Sequence, residues 1–577
     1  MKNPSLLFFK NQSFQLAILA GLLPGIAQLT PTLQANPSGY QVVAGNVNFQ
    51  GLGSAHLNIN NLSQKAIINW QSFSIQKGEI TQIHQGANAA TLNRVVSGNP
   101  TAIYGQLKAD NGSVLVINPN GIVVGAGGTI DVAGMMTLST LDINNKDFLD
   151  GGANHFRGNT GAGVRNYGTI TSENGDVVLM GNFLQNAGEV NAPRGVVAFG
   201  AGGDMVVDHA GGARISVRSG GPGGEIGIDN SGTVNAAAAE LKAHGNVYAL
   251  AIQNDGVVRA SGYNFSGGKL TLSAGSNGRI VNTGTLAARN ADGSGGRVTV
   301  SGGRVDLNAG VVDAAGIDGQ VGGQVSVSGS EVNVGDAATV TAVGSSGGRV
   351  SLASTGNTAI GGHVAATGSA ASGGSITVEG AEVSVGSSAV VDASGESGGG
   401  EINIGGGFQG RDETISNADK LTVASGSLIL ADAVGSGKGG QIILWSDGDT
   451  LFDGDLSARG VNGGGFAEIS GKSTLEVNGK VDLTTVSGKG GLLLLDPTDI
   501  FIHSDGAAGP AAPGASTISN VWISSQLDAG TDVVISTNIG GNQAGNITVG
   551  RLDSSTQAAG DQIEWYQDSA STVGGTL

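Results

Sequence analysis

The chain has 577 residues, of which 103 are glycine, 11 proline and none cysteine, with 13% charged and 4% aromatic residues and a net charge of −18. Glycine without a strict third-residue period excludes collagen, and the 39% apolar share excludes a long solvated tail. The lack of cysteine removes disulfides, thiol catalysis and zinc–thiolate sites, and the acidic balance argues against nucleic acid as a partner.

The first 35 residues carry Lys2 and Lys10, no acidic residue, and the short apolar run Leu16-Ala17-Ile18-Leu19-Ala20-Gly21-Leu22-Leu23 before Pro24. That run is too short to span a bilayer. It reads as a secretory signal peptide over 1–35, with cleavage after Ala27 or Ala35. The protein is therefore expected to be exported.

From residue 267 a unit recurs: Gly-Gly, one residue, then alternating apolar and small polar residues. Gly295-Gly296-Arg297-Val298-Thr299-Val300, Gly322-Gly323-Gln324-Val325-Ser326-Val327, Gly347-Gly348-Arg349-Val350-Ser351-Leu352, Gly373-Gly374-Ser375-Ile376-Thr377-Val378 and Gly399-Gly400-Glu401-Ile402-Asn403-Ile404 are copies. The spacing is 25 to 28 residues, with one interval of 40 that implies an inserted loop over 408–420. Each unit holds three short alternating runs separated by Gly, Asn and Asp, the pattern of three strands and three turns. Only 236–242 offers a modest helical pattern.

Three strands in so short a unit fit one coil of a right-handed parallel β-helix better than a propeller blade, which takes about 40–45 residues. The chain is thus expected to be an all-β solenoid from Val47 to at least Leu495, with Val298, Val300, Val325, Val327, Val350, Leu352, Ile376, Val378, Ile402 and Ile404 stacked inward in one column. Glycine is expected at the corners because it accepts positive φ without strain. Low charge is expected because stacking sets like charges about 4.8 Å apart.

Residues 36–145 differ, with larger side chains in 66–75, then Asn93-Arg94-Val95-Val96, and then Val114-Leu115-Val116-Ile117-Asn118-Pro119-Asn120-Gly121-Ile122. Such a block suits a cap at the open end of a solenoid. Trp70 and Phe73 read as core residues. By turn chemistry Asn118 to Ile122 is a tight corner, since Pro119 fixes φ and Asn120-Gly121 suits a turn.

In the order and spacing of Asn61-Leu62-Ser63, Trp70 with Phe73, Asn93-Arg94-Val95 and Asn118-Pro119-Asn120-Gly121-Ile122, the chain resembles the filamentous haemagglutinin and high-molecular-weight adhesin family, the TpsA exoproteins of two-partner secretion. The likeness extends to Ile442-Ile443-Leu444-Trp445-Ser446-Asp447-Gly448 and Leu492-Leu493-Leu494-Leu495-Asp496-Pro497. An upstream Asn-Pro-Asn-Leu element of the haemagglutinin branch is absent, which puts the chain nearer the adhesin branch.

The resemblance implies an N-terminal secretion (haemagglutination-activity) domain that caps the solenoid. It also implies an outer-membrane TpsB-type transporter with periplasmic recognition domains as partner. Asn118, Pro119, Asn120, Gly121, Ile122, Asn93, Arg94, Trp70 and Phe73 are the implied secretion motif. The domain division expected is signal peptide 1–35, secretion domain grading into β-helix 36–290, Gly-Gly repeats 291–500, and incomplete further repeats 501–577, the chain being the N-terminal part of a longer exoprotein or a truncated copy. The function expected is an adhesin-like exoprotein, secreted or on the surface of a diderm bacterium, with the solenoid as a rigid stalk toward a host or neighbouring-cell surface.

Chemistry has little support. Gly435-Ser436-Gly437-Lys438-Gly439-Gly440 matches a dinucleotide fingerprint, yet no helix is expected after it. Gly344 to Gly348 and Gly395 to Gly399 match a nucleophile elbow at repeat corners. Asp447, Asp449, Asp453 and Asp455 read as solvated turn residues, with calcium the alternative. No catalytic residue, cofactor or metal is expected. The competing functions are a β-helix enzyme acting on polysaccharide and a toxin-delivery exoprotein of the same family.

Overall fold

Each turn of the main chain lays one strand on each of three parallel ladders. The computed structural model describes residues 36–152, 154–208, 214–264, 267–503, 516–537 and 547–550, all within one compact unit, 35–577. In one coil, Gln324–Gly329 lies on the first ladder, while 331–334 and 337–341, two parts of the strand Glu331–Thr341, lie on the second and third. The first ladder runs in register from Lys65–Trp70 to Asp532–Ile535. The expected all-β parallel β-helix is thus the fold.

Stacking starts later than Val47. Val47–Gln50 runs antiparallel to His56–Asn61, and Gln41–Ala44 antiparallel to Lys65–Trp70. Reversed strands end the parallel stack without offering an edge to a further coil. A chain of rings closes this end: Tyr40 on Phe49 (4.0 Å between centroids), Phe49 on Trp70 (5.8 Å) and Trp70 on Phe73 (5.7 Å).

The ten expected inward residues are all fully buried, but they form two columns. Val298, Val325, Val350, Ile376 and Ile402 stand over one another, and Val300, Val327, Leu352, Val378 and Ile404 form the neighbouring column. Two residues of a strand separated by one both face the interior, so two columns follow from the pleat. Residues 236–242 are not helical; they belong to the strand Thr233–Ala243, where Ala239 and Leu241 stack between Val197 and Phe199 on one coil and Leu270 and Leu272 on the next. Stacking overrides the alanines' helical preference.

Corner glycines such as Gly310 (φ +76°) and Gly426 (φ +93°) have the expected positive φ, but the Gly-Gly pairs correct the expectation. Neither glycine of 322–323 or 347–348 has positive φ. They are required by close approach: a Cβ on Gly323 would overlap the carbonyl oxygen of Gly296, and one on Gly348 that of Gly323. Successive corners therefore rest backbone on backbone.

A second stack was not anticipated. Asn166, Asn186, Asn230, Asn254 and Asn282 occupy equivalent buried positions at the end of second-ladder strands. Each Nδ2 donates to the Oδ1 of the next, at 2.8, 2.8, 2.7 and 2.7 Å. The sequence signal is Asn-x-Gly at each of these corners, as in Asn166-Tyr167-Gly168 and Asn230-Ser231-Gly232.

The outer face of the first ladder is covered in two places. Near the N-terminal end, a four-stranded antiparallel sheet (Asp142–Ile143, Asn154–Arg157, Asp204–Val207, Ile215–Ser219) packs Phe156, Met205 and Ile215 onto Ile67, Leu92, Leu115 and Val178. Further along, the inserted loop anticipated over 408–420 crosses the same face. It covers Ile443 and Trp445 and sets Phe408 against Phe466 at 5.8 Å.

Two fully buried carboxyl groups, Glu468 and Asp496, lie beneath that loop. The Gln409 amide donates to Glu468 Oε2 (3.0 Å), Gln409 Nε2 to Asp496 Oδ2 (3.1 Å) and Ser470 Oγ to Glu468 Oε1 (3.0 Å). Burial pushes the Glu468 carboxyl up to about 7. Hydrogen bonds from Gln409 and Ser470 oppose the shift, Asp496 adds to it and Arg411 opposes it.

Two outcomes follow. Asn230→Ala removes one hydrogen bond from each of Asn186 and Asn254, and should lower the local opening free energy of residues 228–254 by about 2 kcal/mol in native-state hydrogen exchange. Asn235→Ala, at a partly exposed position, should change it by less than about 0.5 kcal/mol. For Glu468 the folded form takes up a proton at higher pH than the unfolded chain. Its stability contribution is therefore fully present below about pH 4.5 and is lost as pH rises through about 7. Glu468→Gln should flatten this slope and stabilise the loop region at pH 8 by an order of 2–3 kcal/mol, measured by denaturant titration at pH 5 and 8.

Candidate secretion site

Asn118 to Ile122 form the corner between the first-ladder strand Ser113–Ile117 and the second-ladder strand Ile122–Val124. Asn118 is fully buried. Its Nδ2 donates to Asn99 O and Thr101 Oγ1, both at 2.9 Å, and its Oδ1 accepts from Asn120 N (3.0 Å) and Nδ2 (3.1 Å). Asn120 is exposed and also donates to Ser97 O at 2.7 Å. Gly121 has φ +112°, where a side chain would be strained, and Thr160 Oγ1 donates to Pro119 O at 2.7 Å. The motif thus ties the 97–101 turn below to the 160–163 segment above.

The other motif residues act elsewhere. Trp70 and Phe73 are fully buried in the end cap. Asn93 is also fully buried, facing the interior, where its Oδ1 accepts from Trp70 Nε1 (3.1 Å) and its Nδ2 donates to Leu115 O (3.3 Å). The next residue, Arg94, points out of the same ladder. It donates to Asp142 Oδ1 (2.8 Å), Asn145 Oδ1 (2.8 Å) and Ile143 O (2.6 Å), fastening the extra sheet and the helix Asn145–Asp150 to the solenoid.

Lys65, missed in the sequence, does the same at the helix's other end. Its Nζ donates to the carbonyls of Phe148 (2.6 Å) and Leu149 (3.0 Å) and stands 5.6 Å from the Phe148 ring centroid. Residues 1–35, with both cleavage sites, and the final repeat at 571–577 lie outside the described residues.

The aspartate cluster separates in space. Asp449 opens a second-ladder strand and accepts from Thr474 Oγ1 (2.6 Å), whereas Asp455 opens a third-ladder strand. Asp453 accepts from Asn478 Nδ2 (2.9 Å) and Asp447 from Trp445 Nε1 (3.2 Å). Among the described residues no group of three His, Cys, Asp or Glu side chains is placed to hold a metal. The glycine-rich 435–440 stretch leads into the strand Gln441–Ser446, not a helix.

Comparison with known proteins bears on this region. Residues 33–281 match the family model of the TPS secretion domain. This chain carries a two-partner-secretion domain. Two curated relatives, both heme/hemopexin-binding proteins of Haemophilus influenzae, are 28% identical over 251 residues and 36% identical over 104 residues. These matches cover 41% and 18% of the chain, but only 23% and 11% of the relatives, so the chain spans less than a quarter of their length. Among solved structures, the HMW1 secretion domain of Haemophilus influenzae is 25% identical (TM-score 0.34; 78% of this chain, 100% of that one). The filamentous hemagglutinin secretion domain is 16% identical (TM-score 0.30; 57% and 95%). The TPS match begins next to the end cap and extends past the extra sheet, so both belong to the secretion domain.

Arg94→Ala removes three hydrogen bonds between the solenoid and the extra sheet. It should lower the protection of residues 142–157 by about 2 kcal/mol while leaving coils beyond 290 unchanged, as read by hydrogen exchange.

Proposed function

We propose that the chain is an adhesin-like exoprotein of a diderm bacterium. In this reading it crosses the inner membrane by its N-terminal signal, is recognised by the periplasmic domains of a TpsB-type outer-membrane transporter, and folds outside into a stalk, released or held at the cell surface. The observation that carries the reading is the TPS secretion domain over 33–281, joined in one unit to a long run of coils. Asn118, Pro119, Asn120, Gly121 and Ile122 are its recognition element, with Asn93, Arg94, Trp70 and Phe73 supporting the fold around them.

A non-enzymatic role fits the buried carboxyl groups. Glu468 and Asp496 lie beneath the 405–418 segment rather than in an open cleft, which gives no support to a polysaccharide-cleaving reading. The heme/hemopexin binding of the relatives is not carried over, because the shared segment is a small part of those proteins.

The test is export from cells with and without the partner transporter. Asn118→Ala with Asn120→Ala should cause a several-fold fall in surface and medium protein and a matching rise in the periplasm, whereas Asn235→Ala should export normally. Equal surface display of all three forms, or display independent of the transporter, would refute the reading.

A further inference from the structure

The outer face of the first ladder is bare between the extra sheet and the inserted loop. Its four bare rungs, Lys269–Ser273, Arg297–Ser301, Gln324–Gly329 and Arg349–Ser354, carry three exposed cations, Lys269, Arg297 and Arg349, and no carboxylate. All three stand in one register column, with Gln324 between Arg297 and Arg349. A second column, Thr271, Thr299, Ser326 and Ser351, runs beside it and presents a hydroxyl on every rung.

Like charges directly opposite each other on paired strands are destabilising. On the second ladder the same conflict is resolved. Arg279 stands opposite Arg304, but both pair with Asp306 (2.8 and 2.9 Å), and Arg304 also reaches Glu331 (2.7 Å). Arg289 on the third ladder has Asp313 at 2.6 Å. Among the described residues no carboxylate lies within ion-pair distance of Lys269, Arg297 or Arg349. An unresolved repulsion on a chain of net charge −18 is explained if an external anion completes it.

The column borders two adjoining grooves floored by bare corner backbone: one of about 290 Å³ holds Lys269, Arg297 and Gln324, and one of about 1000 Å³ begins at Gln324 and Arg349 and continues past Ser375 to the exposed Glu401. Rungs repeat about every 4.8 Å along the grooves, close to the rise of one sugar in an extended polysaccharide. We infer that the stretch of this surface from Lys269 to Arg349, short of Glu401, binds a single extended carboxylated polysaccharide, a polyuronate, with one sugar per coil. The three cations take its carboxylates and the threonine and serine column its hydroxyls. A single-file row of charges does not match a duplex, whose phosphates lie on two strands. This deepens the adhesin reading and rests on it only for the cellular setting, since binding is measured on purified protein and export in cells.

The test uses the full chain and polygalacturonate in a calorimetric or biolayer titration, with neutral dextran, dextran sulfate and duplex DNA as comparisons. Polygalacturonate should bind, more weakly as salt rises, and dextran should not. Arg297→Gln with Arg349→Gln should weaken binding about tenfold or more with an unchanged or raised melting temperature, because it relieves repulsion. Arg297→Lys should largely retain binding, and Thr299→Val should reduce it without altering the salt dependence. The inference is overturned by no binding of polygalacturonate, by equal binding of the double variant, or by tighter binding of dextran sulfate or DNA, which would mark an unselective polyanion surface.

Discussion

Everything in this molecule depends on parallel stacking at one coil per strand spacing. Because each residue stands over its counterpart in the previous coil, any local choice is repeated along the axis and must be compatible with itself. Valine on valine is favourable, as in the column through Val298, Val325 and Val350. Asparagine on asparagine is favourable because an amide carries both a donor and an acceptor, so a row of them satisfies itself. Glycine on glycine is obligatory where corners rest backbone on backbone. Charge on like charge is the one self-pairing that costs stability, and its occurrence at Lys269 and Arg297 is informative for that reason.

The same geometry sets a limit on the core. A coil of three short strands encloses only two inward positions per strand, so the interior is narrow. The secretion domain enlarges its apolar core outward instead: Ile67, Leu92, Leu115 and Val178 face away from the interior and are buried by the extra sheet. This requires ties across the new interface, and Arg94 and Lys65 supply them at the two ends of the helix Asn145–Asp150. The loop beneath which Glu468 lies repeats this solution further along, with polar contacts in place of a sheet.

Much of the solenoid was legible because its signal is periodic. Gly-Gly spacing and alternation located the rungs, the inward residues and the inserted loop. What they could not convey was why glycine was there, since positive φ and close approach leave the same letter in the sequence. The doubly buried rungs were written as unbroken apolar runs such as Val114-Leu115-Val116-Ile117, which period-2 reading does not distinguish from a one-sided strand. The asparagine stack was visible as Asn-x-Gly but at irregular intervals, because the extra-sheet strands interrupt the coils between Asn186 and Asn230. For the candidate site, turn chemistry identified the Asn118 corner, whereas the roles of Asn93 and Arg94 depend on neighbours 22 to 51 positions away.

In the folded domain Asn118 has both its amide groups engaged and no exposed surface, and Asn93 is enclosed between Trp70 and Leu115. A transporter that recognised these side chains directly would have to act before the corner closes, on a chain in which the 97–101 turn and the 160–163 segment have not yet met. A transporter acting on the folded domain would instead meet Asn120, Pro119 and the surfaces around them, with Asn118 and Asn93 only holding those surfaces in place. Asn120 is the residue common to both routes, since its side chain is exposed yet also completes the corner through Ser97 and Asn118. The two routes differ in what rescues a corner variant: a substitution that restores the turn by hydrogen bonding restores recognition of the folded form, but not of an extended chain whose asparagine is gone.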